Sequence, residues 1–452
     1  MLSVGEAVER ILADVHRLPT ERVPVLDALG RVLARPLVAP LTLPPWDNSA
    51  MDGYAVRGDD VREASVGRPV LLPVGETVAA GGFPTRALAP GTATRIMTGA
   101  PLPEGADTVV RVEDTDGGVE RVAVRNARDV GKNVRARGED MHAGATVLPA
   151  GTPVGAAQIG VLASCGAAAV EVYRRPRVAI MGSGDELVDL DRFHEALAGR
   201  KIVSSNNYTL HALVRTAGGE PVNLGVAADT PESLAAHLAA AAGCDMILTS
   251  AGVSVGEFDY TRDALAALGA DMKFWKVRMR PGAPLGFGVV GGGAAERTTQ
   301  DGESLTRGIS ERGISERGTA ERDSLSRGTP WIGLPGNPVS AMVTFELFVR
   351  PALRRMLGHT LLFPRPVPVR LAERVTIGVR LTHFLRAVVT TGADGVATAR
   401  LTGPQGSGIL TSMSLANALL VVPEDRQSCE AGELLHALPL TDDARLSAHF
   451  AL

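Results

Sequence analysis

"RPRVAIMGSGDEL", residues 175–187, decides how the rest of this chain is read. Its centre, Val178 to Met181, is an unbroken apolar run of the kind a strand buried on both faces requires. It breaks at once into a glycine loop carrying Asp185 and Glu186. The pattern then repeats. "SSNNYTLHALVRTAGG" (204–219) predicts a helix capped by Ser204 or Ser205 and closed by Gly218. "EPVNLGVAAD" (220–229) reads as a strand, and "TPESLAAHLAAAAG" (230–243) as a helix with Thr230 as N-cap and Pro231 at its first position. "CDMILTSAGVSVG" (244–256) is again a strand entering glycines. Such alternation argues for a parallel sheet with helices on both faces, and for a ligand site at the carboxyl ends of its strands.

Outward from this centre the character changes. Residues 3–17 are apolar at helical spacing, with Glu6, Glu9 and Asp14 on the other face, acids that a signal or transit peptide should not carry. Between 44 and 136, strand-like runs ("RPVLLPVGETV", "TATRIMTG", "TVVRVEDT", "VERVAVR") alternate with Gly/Pro turns. Residues 145–166 can supply a strand and a helix. After Gly358, "PRPVPVRLAERV" opens a last β-rich domain. The expected fold class is α/β plus β. The expected domains are 1–43 with 137–171 (helix-containing), 44–136 (an inserted small β domain), 172–362 (α/β) and 363–452 (β). Within 296–328 a five-residue R-G-x-[SA]-E unit repeats, matching neither helix nor strand periodicity, so a disordered hairpin expansion is expected there.

Composition sets limits. At 452 residues the chain is too long for one core, and a net charge of −4 gives no support for a nucleic-acid partner. No apolar run is long enough for a membrane span. Cys165, Cys244 and Cys429 lie far apart without a C-x-x-C pair, as in a soluble cytoplasmic protein with buried thiols. Of 46 basic residues only Lys132, Lys201, Lys273 and Lys276 are lysines.

Chemistry concentrates in three loops that follow predicted strands: 182–186, 250–259 ("SAGVSVGEFD") and 333–341 ("GLPGNPVSA"). Glycines let backbone amides approach an anion, and Asn337 with Pro338 starts a helix aimed at the same place. The nearby acids Asp185, Glu186, Asp229, Glu257 and Asp259 suit a hard cation bridging protein to a phosphorylated ligand; capping of helices by Asp185 and Asp229 is the alternative. In "FWKVRMRPGAPLGFG" (274–288), strand alternation puts Lys276, Arg278 and Arg280 on one face, where they face solvent or hold an oxyanion. No hydrolase elbow, zinc motif, Walker loop or dinucleotide fingerprint is present.

Together with "DNSAMDGYAV", "RIMTGAPLPEGADTVVRVE", "NVRARGEDM" and "TGPQGSGILTSMSLAN", these stretches resemble the molybdopterin molybdotransferase family, the bacterial MoeA proteins and the C-terminal domain of gephyrin. The resemblance implies an elongated homodimer of four-domain subunits. It implies insertion of molybdate into adenylylated molybdopterin with release of AMP, aided by Mg²⁺, and the molybdopterin adenylyltransferase as partner. By the same resemblance Asp52, Thr98, Asp140 and Lys276 are catalytic, with Asp52 presented to a neighbouring subunit. Gly182, Gly184, Asp185, Ser250, Gly252, Ser254, Gly256, Arg280, Pro284, Pro335, Gly336, Asn337, Pro338, Ser340, Arg386 and Ser407 contact substrate. Glu186, Asp229 and Asp259 hold the metal. One departure stands out: family members commonly read K-P-G-K-P where this chain has Arg280-Pro-Gly-Ala283-Pro. A lost charged hydrogen bond is worth about 1.5–3 kcal/mol, so either Arg278 or another guanidinium compensates or the chain works weakly. A pterin-binding scaffold without turnover and an adenylyltransferase-like enzyme are the alternative functions.

Overall fold

The computed structural model describes residues 1–251, 260–291, 328–392 and 395–441. They fall into two compact units, one built from Arg35–Ala150 and Gly155–Ala168, the other from Met1–Ala34, Gly151–Val154 and the chain from Ala169 onward.

In the first unit, β1 (Gly53–Val56), β2 (Val70–Val78), β3 (Ala93–Ile96), β4 (Thr108–Arg111) and β5 (Arg121–Val124) form one sheet in the order β4–β1–β3–β2–β5. Alternation sorts its side chains: Tyr54, Val56, Val110 and Val122 fill one core, and Ala55, Ile96 and Val109 another. Gly53 is needed where β1 meets β4, because a Cβ there would overlap the Val110 carbonyl. A helix at Ala156–Ser164 belongs to this unit.

The second unit begins with α1 (Val4–Asp14), shorter than the 3–17 expected and closed at its start by a capping box: Ser3 Oγ accepts from Glu6 N, and Glu6 Oε2 from Ser3 N at 2.7 Å. Its apolar stripe, Ala7, Ile11 and Val15, joins the α/β core, so by compactness α1 and the Ala156–Ser164 helix lie in different units. The α/β sheet contains β6 (Arg177–Ser183), β7 (Glu220–Ala227), β8 (Met246–Ser250), β9 (Asp271–Lys276), β11 (Pro284–Val290) and β12 (Thr329–Leu334), ordered β7–β6–β8–β12–β11–β9. The first four are parallel; β12, β11 and β9 pair antiparallel. Helix α2 (Ser205–Thr216) covers one face, packing Leu210 and Val214 against Val178, Ile180 and Leu248. Helices α3 (Pro231–Ala240) and α4 (Tyr260–Ala267) cover the other, with Leu234 and Leu265 against Met181, Ile247 and Trp331. Each such buried aliphatic contributes about 1.5–3 kcal/mol. Helix α5 (Pro338–Thr344) follows β12 and continues through a wider turn at Phe345–Val349.

The strand expected over Lys276 to Arg280 is corrected. Strand β9 ends at Lys276, and Met279–Arg280 forms β10, which pairs with β14 (Thr382–Thr391) of a different sheet. Burial still alternates, with Val277 and Met279 inside and Lys276, Arg278 and Arg280 outside. The backbone diverts because Arg278 N donates to Leu2 O, so the N-terminus takes up the ladder at this point. Strands β13 (Val367–Leu371), β14, β15 (Ala397–Leu401), β16 (Ala418–Val422) and β17 (Leu434–Pro439) close into a barrel, β14–β15–β13–β17–β16–β14, with β10 added at β14. The repeat lies almost wholly outside the described residues, which resume at Gly328; on either side of it, β11 and β12 pair up to Val290↔Thr329.

Candidate functional site

Because β6, β8 and β12 are adjacent and parallel, their carboxyl ends lie side by side: Gly182 pairs with Ser250, and Ser250 with Leu334. This edge and the barrel wall together line a cavity of about 1310 Å³. Of the sequence-derived residues, Glu186, Ser250, Arg280, Pro284, Pro335, Gly336, Asn337, Pro338, Ser340, Arg386 and Ser407 line it, as does Ala283. Gly182, Gly184, Asp185 and Asp229 lie next to that edge without lining it, and Lys276 ends β9, exposed. Gly252, Ser254, Gly256 and Asp259 lie outside the described residues.

The edge is tied together by a residue that reading the helix as merely capped overlooked. Asn206 Nδ2 donates to Ser250 Oγ at 2.6 Å and to the Gly336 carbonyl at 2.7 Å, bridging the ends of β8 and β12. Its Oδ1 is buried without a partner among the described residues, as is Ser204 Oγ, and both residues line the cavity. Ser204 therefore occupies the N-cap position of α2 but does not cap it. The signal was present in the sequence: Asn206 is in helical phase with the buried Leu210 and Val214, and an asparagine on a buried face needs a polar role.

The acids are placed differently from the capping alternative. Thr230 caps α3 by accepting from Ser233 N, while Asp185 Oδ1 accepts from Asp229 N at 3.2 Å. Burial, with smaller contributions from the Asp185 and Glu186 carboxylates, raises the Asp229 carboxyl above its ordinary value. Among the described residues no three His, Cys, Asp or Glu side chains gather closely enough to hold a metal.

Arg386 is fully buried, and its guanidinium is committed to the protein. Nε donates to Ser412 Oγ, Nη1 to the Gln405 carbonyl, and Nη2 to the Pro404 and Gly406 carbonyls, at 2.9–3.1 Å. Gln405 in turn brackets the Arg386 backbone through both ends of its amide. The arginine thus shapes the 404–407 loop and puts positive charge beneath it, and burial pulls its pKa down. Arg278 pairs with Glu424 at 3.7 Å and does not line the cavity, so it is not the compensating cation expected for Ala283. Arg280 lines the cavity, and its guanidinium has no hydrogen bond or ion pair among the described residues.

In the other unit, described by itself, Asp52 Oδ1 accepts from Thr98 N at 2.7 Å and Oγ1 at 2.8 Å. These bonds, the backbone one first, hold the exposed carboxyl below its ordinary value, so Asp52 is a fixed anion at neutral pH. The neighbouring Asp47 is structural: its Oδ1 accepts from Arg137 N at 2.7 Å and pins the turn that carries Asp140, which is exposed.

Three family models match the chain: MoeA N-terminal region (domain I and II) over residues 2–166, Probable molybdopterin binding domain over 179–355, and MoeA C-terminal region (domain IV) over 368–440. The chain is 38% identical to molybdopterin molybdenumtransferase 2 of Mycobacterium tuberculosis, across 98% of this chain and 100% of that one. It is 37% identical to the molybdopterin molybdenumtransferase of Nostoc sp., across 93% and 89%. Among solved structures it is similar to the molybdopterin biosynthesis moeA protein of Pyrococcus horikoshii OT3, with a TM-score of 0.77, 27% identity, and coverage of 97% of this chain and 100% of that one.

Proposed function

The chain belongs to the MoeA family, and from that premise we propose that it is a molybdopterin molybdenumtransferase acting in molybdenum cofactor biosynthesis. The observation that carries the reading is the cavity at the carboxyl edge of β6, β8 and β12, with Arg280 unpaired in its wall among the described residues. Adenylylated molybdopterin occupies this space and molybdate lies beside Arg280, Ser340 and Ser407. As the two Mo–S bonds form, a molybdate oxygen leaves as water with the two dithiol protons, and a second water adds across the phosphoanhydride to release AMP from the molybdopterin phosphate.

The chain's own groups have distinct tasks. Arg280 holds the oxyanion by charge-assisted hydrogen bonds. Arg386 positions the loop that presents Ser407. Asn206 keeps the ends of β8 and β12 in register. Asp52, ordered by Thr98, is the acid supplied by a second copy of the chain in a homodimer. Glu186 and Asp229 are oxygen donors, and like charge around Asp229 is what a divalent cation relieves, so these two, with Asp259, would hold Mg²⁺. When bound, the ion screens the charge of the phosphates. The molybdopterin adenylyltransferase supplies the substrate, and three unpaired buried cysteines fit work in the reducing cytoplasm.

The test is transfer in vitro from adenylylated molybdopterin, molybdate and Mg²⁺, followed by AMP release and protein-independent assay of the product. Asp52→Asn keeps an acceptor for Thr98 but removes the charge. It is expected to leave the unfolding temperature unchanged and to lower transfer at least about tenfold. Adenylylation of free molybdopterin with ATP, and no AMP release, would assign the chain to the adenylyltransferase class instead.

A further inference from the structure

The charge inventory of the cavity leaves one residue unexplained. Among the described residues its lining contains two permanent cations, Arg280 and Arg386, and one histidine, His383. Arg386 already serves the 404–406 carbonyls. Arg280 and His383 are register partners in the parallel pair β10–β14, which puts their side chains on the same face. His383 is 5% exposed, and its Nε2 lies 3.1 Å from the Val379 carbonyl. A carbonyl only accepts, so Nε2 carries the proton of the neutral ring and Nδ1 is left bare.

We propose that His383 is a proton-coupled second cation of the oxyanion subsite, neutral without ligand and protonated at Nδ1 when a dianion settles beside Arg280. The proposal rests on the reading that this cavity takes molybdate. Burial holds the free imidazole below its ordinary pKa; the hydrogen bond to the Val379 carbonyl opposes it, and the Arg280 charge adds a smaller downward push. A dianion placed against Arg280 reverses the sign of that local field and favours the imidazolium. The other charged groups near the ring do not offer the same relief. Arg386 on its own strand is cationic, as is the exposed Arg380 before that strand. Strand β16 brings Val422 opposite His383, and Glu424 beyond it is paired with Arg278. Glu186 lies on the α/β wall of the cavity, and no carboxylate is hydrogen-bonded to the imidazole among the described residues. The residue thus selects for charge: a dianion recruits the proton, whereas a monoanion neutralised by Arg280 alone does not.

Linkage makes this measurable. If His383 gains a proton on binding, affinity for the dianion falls as pH rises, by up to about tenfold per unit between the free and bound pKa values. Calorimetric titration of the full chain with molybdate, from pH 6 to 8 and in two buffers of different ionisation enthalpy, reads both the affinity and the proton count. We expect uptake of a fraction of a proton to one proton, and at least about tenfold weaker binding at pH 8 than at pH 6. His383→Gln retains a donor for Val379 and is expected to bind weakly with no proton uptake and no pH slope. Ring chemical shifts of the histidine-labelled wild type give a second readout, one imidazole becoming charged when molybdate is added, should that variant fold poorly. Measurable but pH-independent binding by the wild type overturns the proposal and leaves the transferase reading standing, as does a slope that survives His383→Gln. Absence of both molybdate binding and transfer overturns that reading, and this proposal with it.

Discussion

Gly184 and His359 show how single residues carry strain and charge in this chain. Gly184 has φ +146°, which L side chains rarely adopt, and a Cβ there would lie 2.6 Å from Glu186 Oε2. Gly184→Ala is therefore expected to displace the Glu186 carboxylate. Transfer should fall at least about tenfold, while urea unfolding shows a loss of about 1–3 kcal/mol. His359 is pushed down to about 4, chiefly by burial and then by Arg354, whose Nη2 donates to Nδ1 at 3.4 Å. The folded imidazole thus binds its proton less readily than the unfolded one, at about 6.5. Its stabilising effect is complete above that value and is lost as pH falls from there toward 4, by at most about 1.4 kcal/mol per unit. Urea midpoints at pH 7 and pH 5 should show the drop, and His359→Gln should flatten it.

At the level of elements, the two side-chain clamps deserve separate tests because each serves a different wall of the cavity. Asn206→Ala removes the donor shared by Ser250 and the Gly336 carbonyl. A stability loss of about 1–3 kcal/mol is expected, with faster amide exchange at the ends of β8 and β12 and a raised KM. The Arg386 clamp was legible only as a charge in a motif. A guanidinium that has four hydrogen bonds to Ser412 and the 404–406 carbonyls cannot be told from one that grips substrate without knowing where "TGPQGSG" folds back. The same limit applied to Lys276–Arg280. Its alternation was read correctly for burial, but the change of ladder at Arg278 depends on Leu2, which local periodicity cannot bring into view.

For the whole molecule, β11 and β12 already pair to Val290↔Thr329, so their hairpin does not need a long connection. Replacing residues 292–327 with a short Gly/Asn turn is expected to shift the calorimetric unfolding temperature by less than about 2 °C. A fall of many degrees would mean that the segment contributes to the core. Reading along the chain determined the α/β centre, the β-rich flanks and the glycine loops, because these follow from local periodicity and turn chemistry within windows of about ten residues. Motif content also placed the chain in its family. Only tertiary structure decided that Asn206 ties two loops, that Arg386 is committed to backbone carbonyls, and that His383 pairs in register with Arg280. Those relations join residues 18 to 130 positions apart, and the pairing of distant groups is set by packing of the whole core, to which no short stretch is sensitive.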